Sequence, residues 1–311
     1  MSSPSLPHVW VCAPTFREAD KVAHFLASFR HVRHRPLTVL VVNASPGDET
    51  ERVIRAEAAA VDYDLRQIDG VAAEFWSGTI NRALRLVQAE AAPDDLLLLM
   101  NVDIGFDDDI VSALVARMRA HDGRCQIGAL GHAEGRVVSS GVEVRSWVLG
   151  LNRHPLNGFA LAEVPAGRED RVDFLPSRCT MVQARVLRDL GIMEERLLPH
   201  YGADYEFSHR LVAAGYPAFL NTDIRIMSDV SNTGTSVFSR RTTFTQRLSQ
   251  LSNIKNPSNV RYRTNFLRLT YPMHALPTAI LSYLARTLTE VTLGGEALRR
   301  LLPGRERGMS R

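Results

Sequence analysis

Two acidic positions in the sequence lie where they could do chemistry. Asp103 closes the turn Asn101-Val102-Asp103, directly after the apolar run Leu96 to Met100. A run of this kind predicts a buried strand, so Asp103 is expected at a strand's carboxyl end. A carboxylate there can hold Mg²⁺ or Mn²⁺, which bridge one or two carboxylates to substrate phosphates. Aspartate is also a common turn former, so this position alone does not decide between the two roles.

The second acidic position is Asp204, which stands with Glu206 at the predicted start of an amphipathic helix. Carboxylates there can simply complement the helix dipole. Asp204 also has aromatic neighbours in the sequence, Tyr201, Tyr205 and Phe207. An apolar setting raises the pKa of a carboxyl group from its reference of about 3.9 towards values that suit a general base. We therefore interpret Asp204 as the preferred base for removing a proton from a hydroxyl group.

Short apolar runs alternate with helical patterns in the first hundred residues. The predicted strands are Val9 to Ala13, Leu37 to Val42 and Leu96 to Met100, and the predicted helices are Glu18 to Phe29 and Glu49 to Ala60. This alternation predicts an α/β fold with a mostly parallel central sheet flanked by helices. Ligands of such sheets bind beyond the carboxyl ends of the strands. The loops that begin at Pro14, Asn43 and Asn101 are therefore expected to converge on one site.

Composition and charge limit the class of protein. The chain has 311 residues, of which 45% are hydrophobic and 23% charged, which excludes a disordered or fibrous protein. The net charge is +3, but residues 240–311 contain 13 Lys/Arg and 3 Asp/Glu and carry +10, so the preceding residues carry −7. An acidic body argues against nucleic acid as a partner. The three cysteines lie far apart, and the polar start of the sequence does not resemble a secretion signal, so we expect a cytoplasmic protein.

An amphipathic pattern lies in the basic C-terminal region. Its apolar positions are Ile280, Leu281, Leu284, Leu288 and Val291. No uncharged apolar run reaches the roughly 18 residues that a membrane span needs. The predicted helix is open to three roles: contact with the inner face of the plasma membrane, contact with a second copy of the chain, or packing on the body.

Several further motifs occur in the order found in one enzyme family. They are Ala13-Pro-Thr-Phe-Arg-Glu18, Asn43-Ala-Ser-Pro-Gly-Asp-Glu-Thr50, Phe75-Trp-Ser-Gly-Thr-Ile-Asn-Arg-Ala-Leu84, Asn101-Val-Asp103 and Pro199-His-Tyr-Gly-Ala-Asp-Tyr-Glu-Phe207. With them the sequence resembles family 2 of the inverting glycosyltransferases, which have the GT-A fold, over roughly residues 9–236. The last motif is similar to that of bacterial polysaccharide members, including rhamnosyltransferase-like ones.

The resemblance implies a role for each matching residue. It implies Asp103 as the metal ligand for Mg²⁺ or Mn²⁺ and Asp204 as the catalytic base. The implied donor-binding residues are Pro14, Thr15, Glu18, Asn43, Trp76, Asn81 and Asn101, and the implied acceptor-side residues are His200, Tyr201 and Glu206. An aromatic residue at a helix start, such as Trp76, is also common in a protein core.

The resemblance also implies a function and a domain plan. A hexosyl or deoxyhexosyl group would pass from a dTDP- or UDP-linked donor to a hydroxyl of a glycan or lipid-linked glycan in bacterial polysaccharide synthesis. Residues 1–238 would form the GT-A domain, with a nucleotide-binding part at about 9–105 and an acceptor-binding part at about 106–238. Residues 239–311 would form a basic helical C-terminal region.

The sequence departs from the family pattern at three places, which keeps two other functions open. Val42 replaces the usual base-contacting aspartate, Ala203 stands where many relatives have glutamate, and Asp229 or Ser231 stands where a metal-binding histidine is frequent. Val42 and the missing histidine suit a degenerate nucleotide- or glycan-binding scaffold. A sugar nucleotidyltransferase is the other alternative, but it would be expected to have a glycine-rich loop, and residues 14–18 contain no glycine.

Overall fold

The structure is a computed structural model that describes residues 6–229 and 243–301, with side chains up to residue 292. Its strands are β1 Val9–Thr15, β2 Leu37–Asn43, β3 Asp64–Asp69, β4 Leu96–Met100, β5 Ile104–Gly105, β6 Gln126–Ala133, β7 Arg136–Ser139, β8 Glu143–Ser146, β9 Leu151–Arg153, β10 Glu169–Val172, β11 Cys179–Gln183 and β12 Ala218–Ser228. Its helices are α1 Ala19–Ser28, α2 Glu49–Ala58, α3 Phe75–Glu90, α4 Ile110–Ala120, α5 Val186–Asp189, α6 Ala203–Ala213, α7 Phe244–Gln250, α8 Val260–Thr270 and α9 Leu276–Leu301.

One large mixed sheet organises these elements. Its strand order is β10-β12-β6-β11-β4-β1-β2-β3, with β5 paired to β12 and β7 paired to β6. Strands β4, β1, β2 and β3 run parallel, as do β12 and β6, whereas β11 is antiparallel to both β4 and β6. The predicted α/β fold, with a mostly parallel central sheet and a C-terminal helical extension, is confirmed. The three predicted strands and the first two predicted helices are all present.

The central strands are buried along their whole length because helices cover both faces of the sheet. Every residue of β1, β2 and β4 is buried. On one face, Phe25 of α1 and Phe29, which directly follows that helix, pack into a core shared with α4. On the other face, α3, α6, α8 and α9 share a second core that includes Leu84, Phe207 and Phe266. The C-terminal helices α8 and α9 therefore pack on the body of the protein.

The turn before α6 is shaped by Gly202, which precedes the helix with a φ of +87°. A β-carbon at Gly202 would lie 3.2 Å from Cδ2 of Phe266 in α8. Residues with a side chain rarely adopt a positive φ, and the ring of Phe266 occupies the space where a side chain would go. This glycine lets α8 lie against the turn that carries Asp204.

We expect Gly202→Ala to destabilise the protein more than Gly215→Ala. Both glycines flank α6 and have φ near +90°, but no atom lies within 4 Å of a β-carbon at Gly215. Each alanine should cost roughly 1–2 kcal/mol for its backbone conformation, and Gly202→Ala should lose about 1 kcal/mol more through overpacking against Phe266. Urea unfolding of the two variants measures the difference. Equal losses would show that α8 yields to the extra methyl group.

Candidate active site

The carboxyl ends of β1 and β2 meet at one cavity of about 350 Å³. The ends of β1 and β2 lie side by side, because Thr15 pairs with Asn43. Five of the predicted site residues line the cavity, and they are Pro14, Thr15, Glu18, Trp76 and His200. The loops after β1 and β2 thereby meet at a pocket of the size used by small-molecule sites, whereas the turn after β4, which was expected at the same place, supplies no lining residue.

Trp76 forms one wall of the cavity and is oriented by Asn101. The indole Nε1 of Trp76 donates a hydrogen bond to Oδ1 of Asn101, at 3.2 Å. This bond ties the start of α3 to the turn after β4. The side-chain oxygen of Asn101 is therefore used to hold the tryptophan ring, which lines the cavity.

Asn43 and Asn81 are fully buried, and neither lines the cavity. Oδ1 of Asn43 accepts a hydrogen bond from the backbone amide of Ser45, at 3.0 Å. Asn81 bonds the main chain of Met193 twice: Nδ2 donates to the carbonyl at 2.9 Å, and Oδ1 accepts from the amide at 3.1 Å. The structure thus uses both amides to hold the loops beside the cavity, and it does not bring them to the site where the donor was expected.

Asp103 lies in the turn after β4 and is largely buried. Burial raises the pKa of its carboxyl group, against the charges of Arg178 and Lys21, which lower it. Nη2 of Arg178 stands 3.9 Å from Oδ2. The other oxygen, Oδ1, is buried and accepts no hydrogen bond from any residue that the structure describes. Such an unpaired carboxylate oxygen is costly in a folded protein and is suited to binding a ligand.

The surroundings of Asp103 fit a single divalent cation whose coordination shell is completed by a bound ligand. The backbone amide of Asp229 donates to the carbonyl of Asp103 at 2.8 Å, and the Asp229 carboxylate lies 3.5 Å from Nζ of Lys21. Within residues 6–229 and 243–292, no three His, Cys, Asp or Glu side chains are grouped to hold a metal. A cation here would take one protein carboxylate and complete its shell with phosphate oxygens and water, as Mg²⁺ commonly does.

Asp204 lies in the first turn of α6 and is half-buried. Burial raises the pKa of its carboxyl group, while backbone hydrogen bonds from Tyr205 and Ser177 and the charge of Arg178 act in the opposite direction. The net direction is upward, as the aromatic surroundings suggest. A carboxylate with a raised pKa is a better proton acceptor than an ordinary aspartate.

Arg178 is a site residue that the sequence does not reveal. It directly precedes β11, whose first residue, Cys179, pairs with Met100 at the end of β4. Its charge lowers the pKa of both Asp103 and Asp204, so it lies within electrostatic reach of the two carboxylates. In the sequence it is one of many arginines, and only the antiparallel pairing of β11 with β4 places it there.

The three residues predicted for the acceptor side have different surroundings. His200 lines the cavity, and its buried Nδ1 lacks a hydrogen-bond partner within the described part of the chain. Burial, with a smaller effect of Lys255, lowers the pKa of His200 to about 4, so the ring is neutral at physiological pH. Tyr201 packs edge-on against it, with ring centroids 4.6 Å apart. Glu206 is buried and instead pairs with Arg210, at 2.9 Å.

The fold of this chain is the GT-A fold, which solved glycosyltransferase structures share. Three solved structures share the fold. Mannosyltransferase PcManGT from Pyrobaculum calidifontis, solved with GDP-Man and Mn²⁺, is 16% identical with a TM-score of 0.55 over 97% of this chain and 83% of its own. TarS 1-349 of S. aureus is 13% identical with a TM-score of 0.52 over 96% and 86%. GalNAc-T7, solved with UDP, GalNAc and Mn²⁺, is 11% identical with a TM-score of 0.57 over 93% and 57%.

The family is identified from the sequence itself. Residues 10–154 match the model of Glycosyl transferase family 2, and this segment belongs to that family. The predicted family and GT-A fold are therefore confirmed, and together they identify a glycosyltransferase. No curated protein sequence matches the chain.

We expect Arg178→Met to raise the pKa of Asp204. The guanidinium favours the ionised carboxylate, so its loss makes protonation easier. NMR titration of ¹³C-carboxyl-labelled aspartate measures the change, with the Asp204 signal assigned by its absence in Asp204→Asn. Arg178→Lys keeps the charge and serves as the control. An unchanged or lower pKa in Arg178→Met would contradict the placement of Arg178 between the two carboxylates.

Proposed function

We propose that this protein is an inverting, metal-dependent glycosyltransferase that moves a sugar from a nucleotide-sugar donor to a hydroxyl of a glycan or lipid-linked glycan. One observation carries the proposal. Three buried polar atoms, Thr15 Oγ1, Asp103 Oδ1 and His200 Nδ1, find no hydrogen-bond partner among the described residues. Thr15 and His200 line the cavity, and Asp103 lies in the turn after β4. Buried polar atoms are normally paired, so this group fits a polar ligand that supplies the partners.

The donor would lie with its nucleotide along the ends of β1 and β2. Ala44 lines the cavity at the end of β2, so no polar side chain from that strand faces the base. Thr15 supplies a hydroxyl, and Trp76 supplies an aromatic surface for the base or the sugar. A dTDP- or UDP-linked hexose or deoxyhexose is the donor class we propose, in bacterial polysaccharide synthesis of the rhamnosyltransferase-like kind. The similar solved structures contain GDP-Man in one case and UDP in another, so the fold itself accepts more than one base.

The proposed domain plan separates a donor-binding part, an acceptor-binding part and a C-terminal region. We propose that residues at about 9–105 bind the nucleotide and that those at about 106–238 bind the acceptor, with residues 239–311 forming the C-terminal region. The boundary near residue 238 lies outside the described residues, as does Ser231.

The proposed reaction is a direct displacement. Asp204 accepts the proton of the acceptor hydroxyl, and that oxygen attacks the anomeric carbon while the nucleoside diphosphate leaves from the opposite face. Asp103 would hold Mg²⁺ or Mn²⁺, which when bound neutralises charge on the leaving diphosphate. The backbone amides of Tyr205 and Ser177 and, to a smaller extent, the charge of Arg178 favour the ionised form of Asp204 and oppose the effect of burial on its pKa. A single displacement at the anomeric carbon inverts its configuration.

The two alternatives explain the site less well. A binding scaffold has no need of a buried carboxylate whose pKa is raised, and ionised Asp204 costs folding stability for that reason. A sugar nucleotidyltransferase would be expected to have a flexible glycine-rich loop after β1. Here the loop contains Arg17, a non-glycine residue with a φ of 56°, which is a conformation that residues with side chains adopt only under local strain.

We expect Asp204→Asn to lower turnover by about 100- to 10,000-fold while donor affinity stays unchanged. The donor is first selected by thermal shift with UDP-, dTDP-, GDP- and CMP-sugars, each with and without Mn²⁺. Because burial raises the folded-state pKa of Asp204, its ionised form lowers the free energy of unfolding above that pKa. The variant should therefore be at least as stable as the wild type at neutral pH.

Asp103→Asn is the matched control for the donor side. It should lose the Mn²⁺-dependent part of the thermal shift and keep the fold. Full activity in Asp204→Asn would remove this residue as the base. No shift with any nucleotide sugar in the wild type would favour the scaffold.

We also propose that the C-terminal region contacts an anionic membrane surface. One face of α9 packs on the body through Ala279, Tyr283 and Val291. The opposite face exposes Leu281 and Leu288, whose exposed fractions are 68% and 65%. The +10 charge of residues 240–311 complements anionic lipid headgroups, and none of the described helices is long and apolar enough to cross a bilayer.

We expect the wild type to bind vesicles that contain phosphatidylglycerol, and to bind them less at high salt, because the attraction is partly electrostatic. The double variant Leu281→Ser/Leu288→Ser should fold normally, since both side chains are exposed, and should lose most of the binding. Vesicle co-sedimentation measures this, with vesicles of neutral lipid as the control. Loss of a dimer, rather than of vesicle binding, in the double variant would assign this face to a second copy of the chain.

A further inference from the structure

The two lysines of this sequence both lie at the candidate site. The chain has 37 Lys/Arg residues, of which only Lys21 and Lys255 are lysine. Nζ of Lys21 is 3.0 Å from Glu18 and 3.5 Å from Asp229. Lys255 lies more than 230 positions further along the sequence and lines the donor cavity. The second lysine comes from the C-terminal region, which the family match over residues 10–154 does not include.

The segment that carries Lys255 is held in place by asparagine side chains. Oδ1 of Asn253 accepts the backbone amide of Lys255 at 2.9 Å, and the Asn253 carbonyl accepts from Nδ2 of Asn259 at 3.1 Å. Asn256 and Asn259 are both buried, and the hydroxyl of Tyr283 in α9 donates to the carbonyl of Ser258 at 3.1 Å. The backbone at Lys255 is therefore positioned before any ligand arrives.

The ammonium group of Lys255 faces the cavity without an anionic partner from the described residues. Its Nζ lies 5.7 Å from the centroid of the Phe16 ring. The one carboxylate that lines the cavity, Glu18, already accepts a hydrogen bond from Lys21. His200, on the same wall, is neutral at physiological pH. A cation held over an aromatic ring, with the nearby carboxylate already paired, favours an anionic ligand.

We propose that Lys255 binds a phosphate oxygen of the donor's diphosphate, so that the C-terminal region completes the donor site. This inference rests on the proposed nucleotide-sugar donor. A nucleoside diphosphate supplies the missing anion, and its base and ribose suit the apolar walls that Phe16, Phe75 and Trp76 form around the cavity. Lys255 is then a donor-binding residue that lies outside the family's matched segment.

Calorimetric titration of UDP and dTDP in the presence of Mn²⁺ tests this assignment. Lys255→Met should weaken the binding of the preferred diphosphate by about tenfold or more, which is the usual effect of losing a charge-assisted hydrogen bond. Binding of the matching nucleoside, uridine or thymidine, should not change. Lys255→Arg should recover part of the loss. Arg268→Met removes an equal charge from an exposed position on α8, away from the cavity, and should bind like the wild type.

The outcomes separate the two proposals. If the wild type binds a diphosphate and Lys255→Met binds it equally well, the role of Lys255 is overturned while the donor class stands. If Lys255→Met weakens nucleoside and diphosphate alike, the residue shapes the cavity, and the phosphate contact is rejected. If the folded wild type binds neither diphosphate, the proposed donor class fails and the Lys255 contact fails with it.

Amine acylation gives a second measurement that needs no variant. Lys21, Lys255 and the N-terminal amine are the only primary amines in the sequence. Lys255 is exposed, so it should react readily, and the preferred diphosphate with Mn²⁺ should slow its acylation severalfold while the nucleoside should not. Mass spectrometry of the peptide that contains Lys255 follows the rate. Equal rates with and without saturating diphosphate would contradict the contact.

Discussion

The site depends on the position of β4 between two strands that run in opposite directions. β4 is buried on both faces, so the alternation of its own side chains does not set its register against its neighbours. Hydrogen bonds at its two ends do so: Trp10 Nε1 donates to Asp95 at 3.0 Å before the strand, and Trp76 donates to Asn101 after it. With β4 fixed, parallel pairing with β1 brings Thr15 to the same edge as the turn after β4, and antiparallel pairing with β11 starts that strand beside the same turn.

The parallel half of the sheet was predictable because each of its central strands is marked by its own run of apolar residues. Strands β1, β2 and β4 each contain a run of mostly apolar residues, and the position of Asp103 follows from the end of such a run. The direction of β11 was not predictable, because nothing in its composition says which strand it pairs with or how. Arg178 was missed for that reason. Asn43 and Asn81 were placed at the donor by motif alone, but a motif does not show whether an amide faces a ligand or folds back to bond its own loop.

The residues of the candidate site lower the stability of the folded protein. Besides the unpaired polar atoms and the buried carboxylates, Arg17 and Phe75 adopt positive φ values of 56° and 53° on either side of the cavity. Each such residue costs roughly 1–3 kcal/mol. The double-sided core around β1, β2 and β4 offsets that cost and holds the strained loops in place. The position of Lys255 at the cavity could not be found from the sequence, because it depends on a segment that folds back from the C-terminal region.

The close approach of Gly202 and Phe266 limits where the chain can be truncated without disturbing the candidate site. The first turn of α6 carries Asp204, and Phe266 of α8 lies against the glycine that precedes this turn. In addition, Asn265 Nδ2 in α8 donates a hydrogen bond to the carbonyl of Leu197, at 3.0 Å. The C-terminal helices thus brace the same turn from which the proposed base projects. A catalytic core trimmed at residue 238 would lose this support and one wall of its cavity. Exchanging the C-terminal helices between related proteins would consequently also change the packing that supports the turn with Asp204.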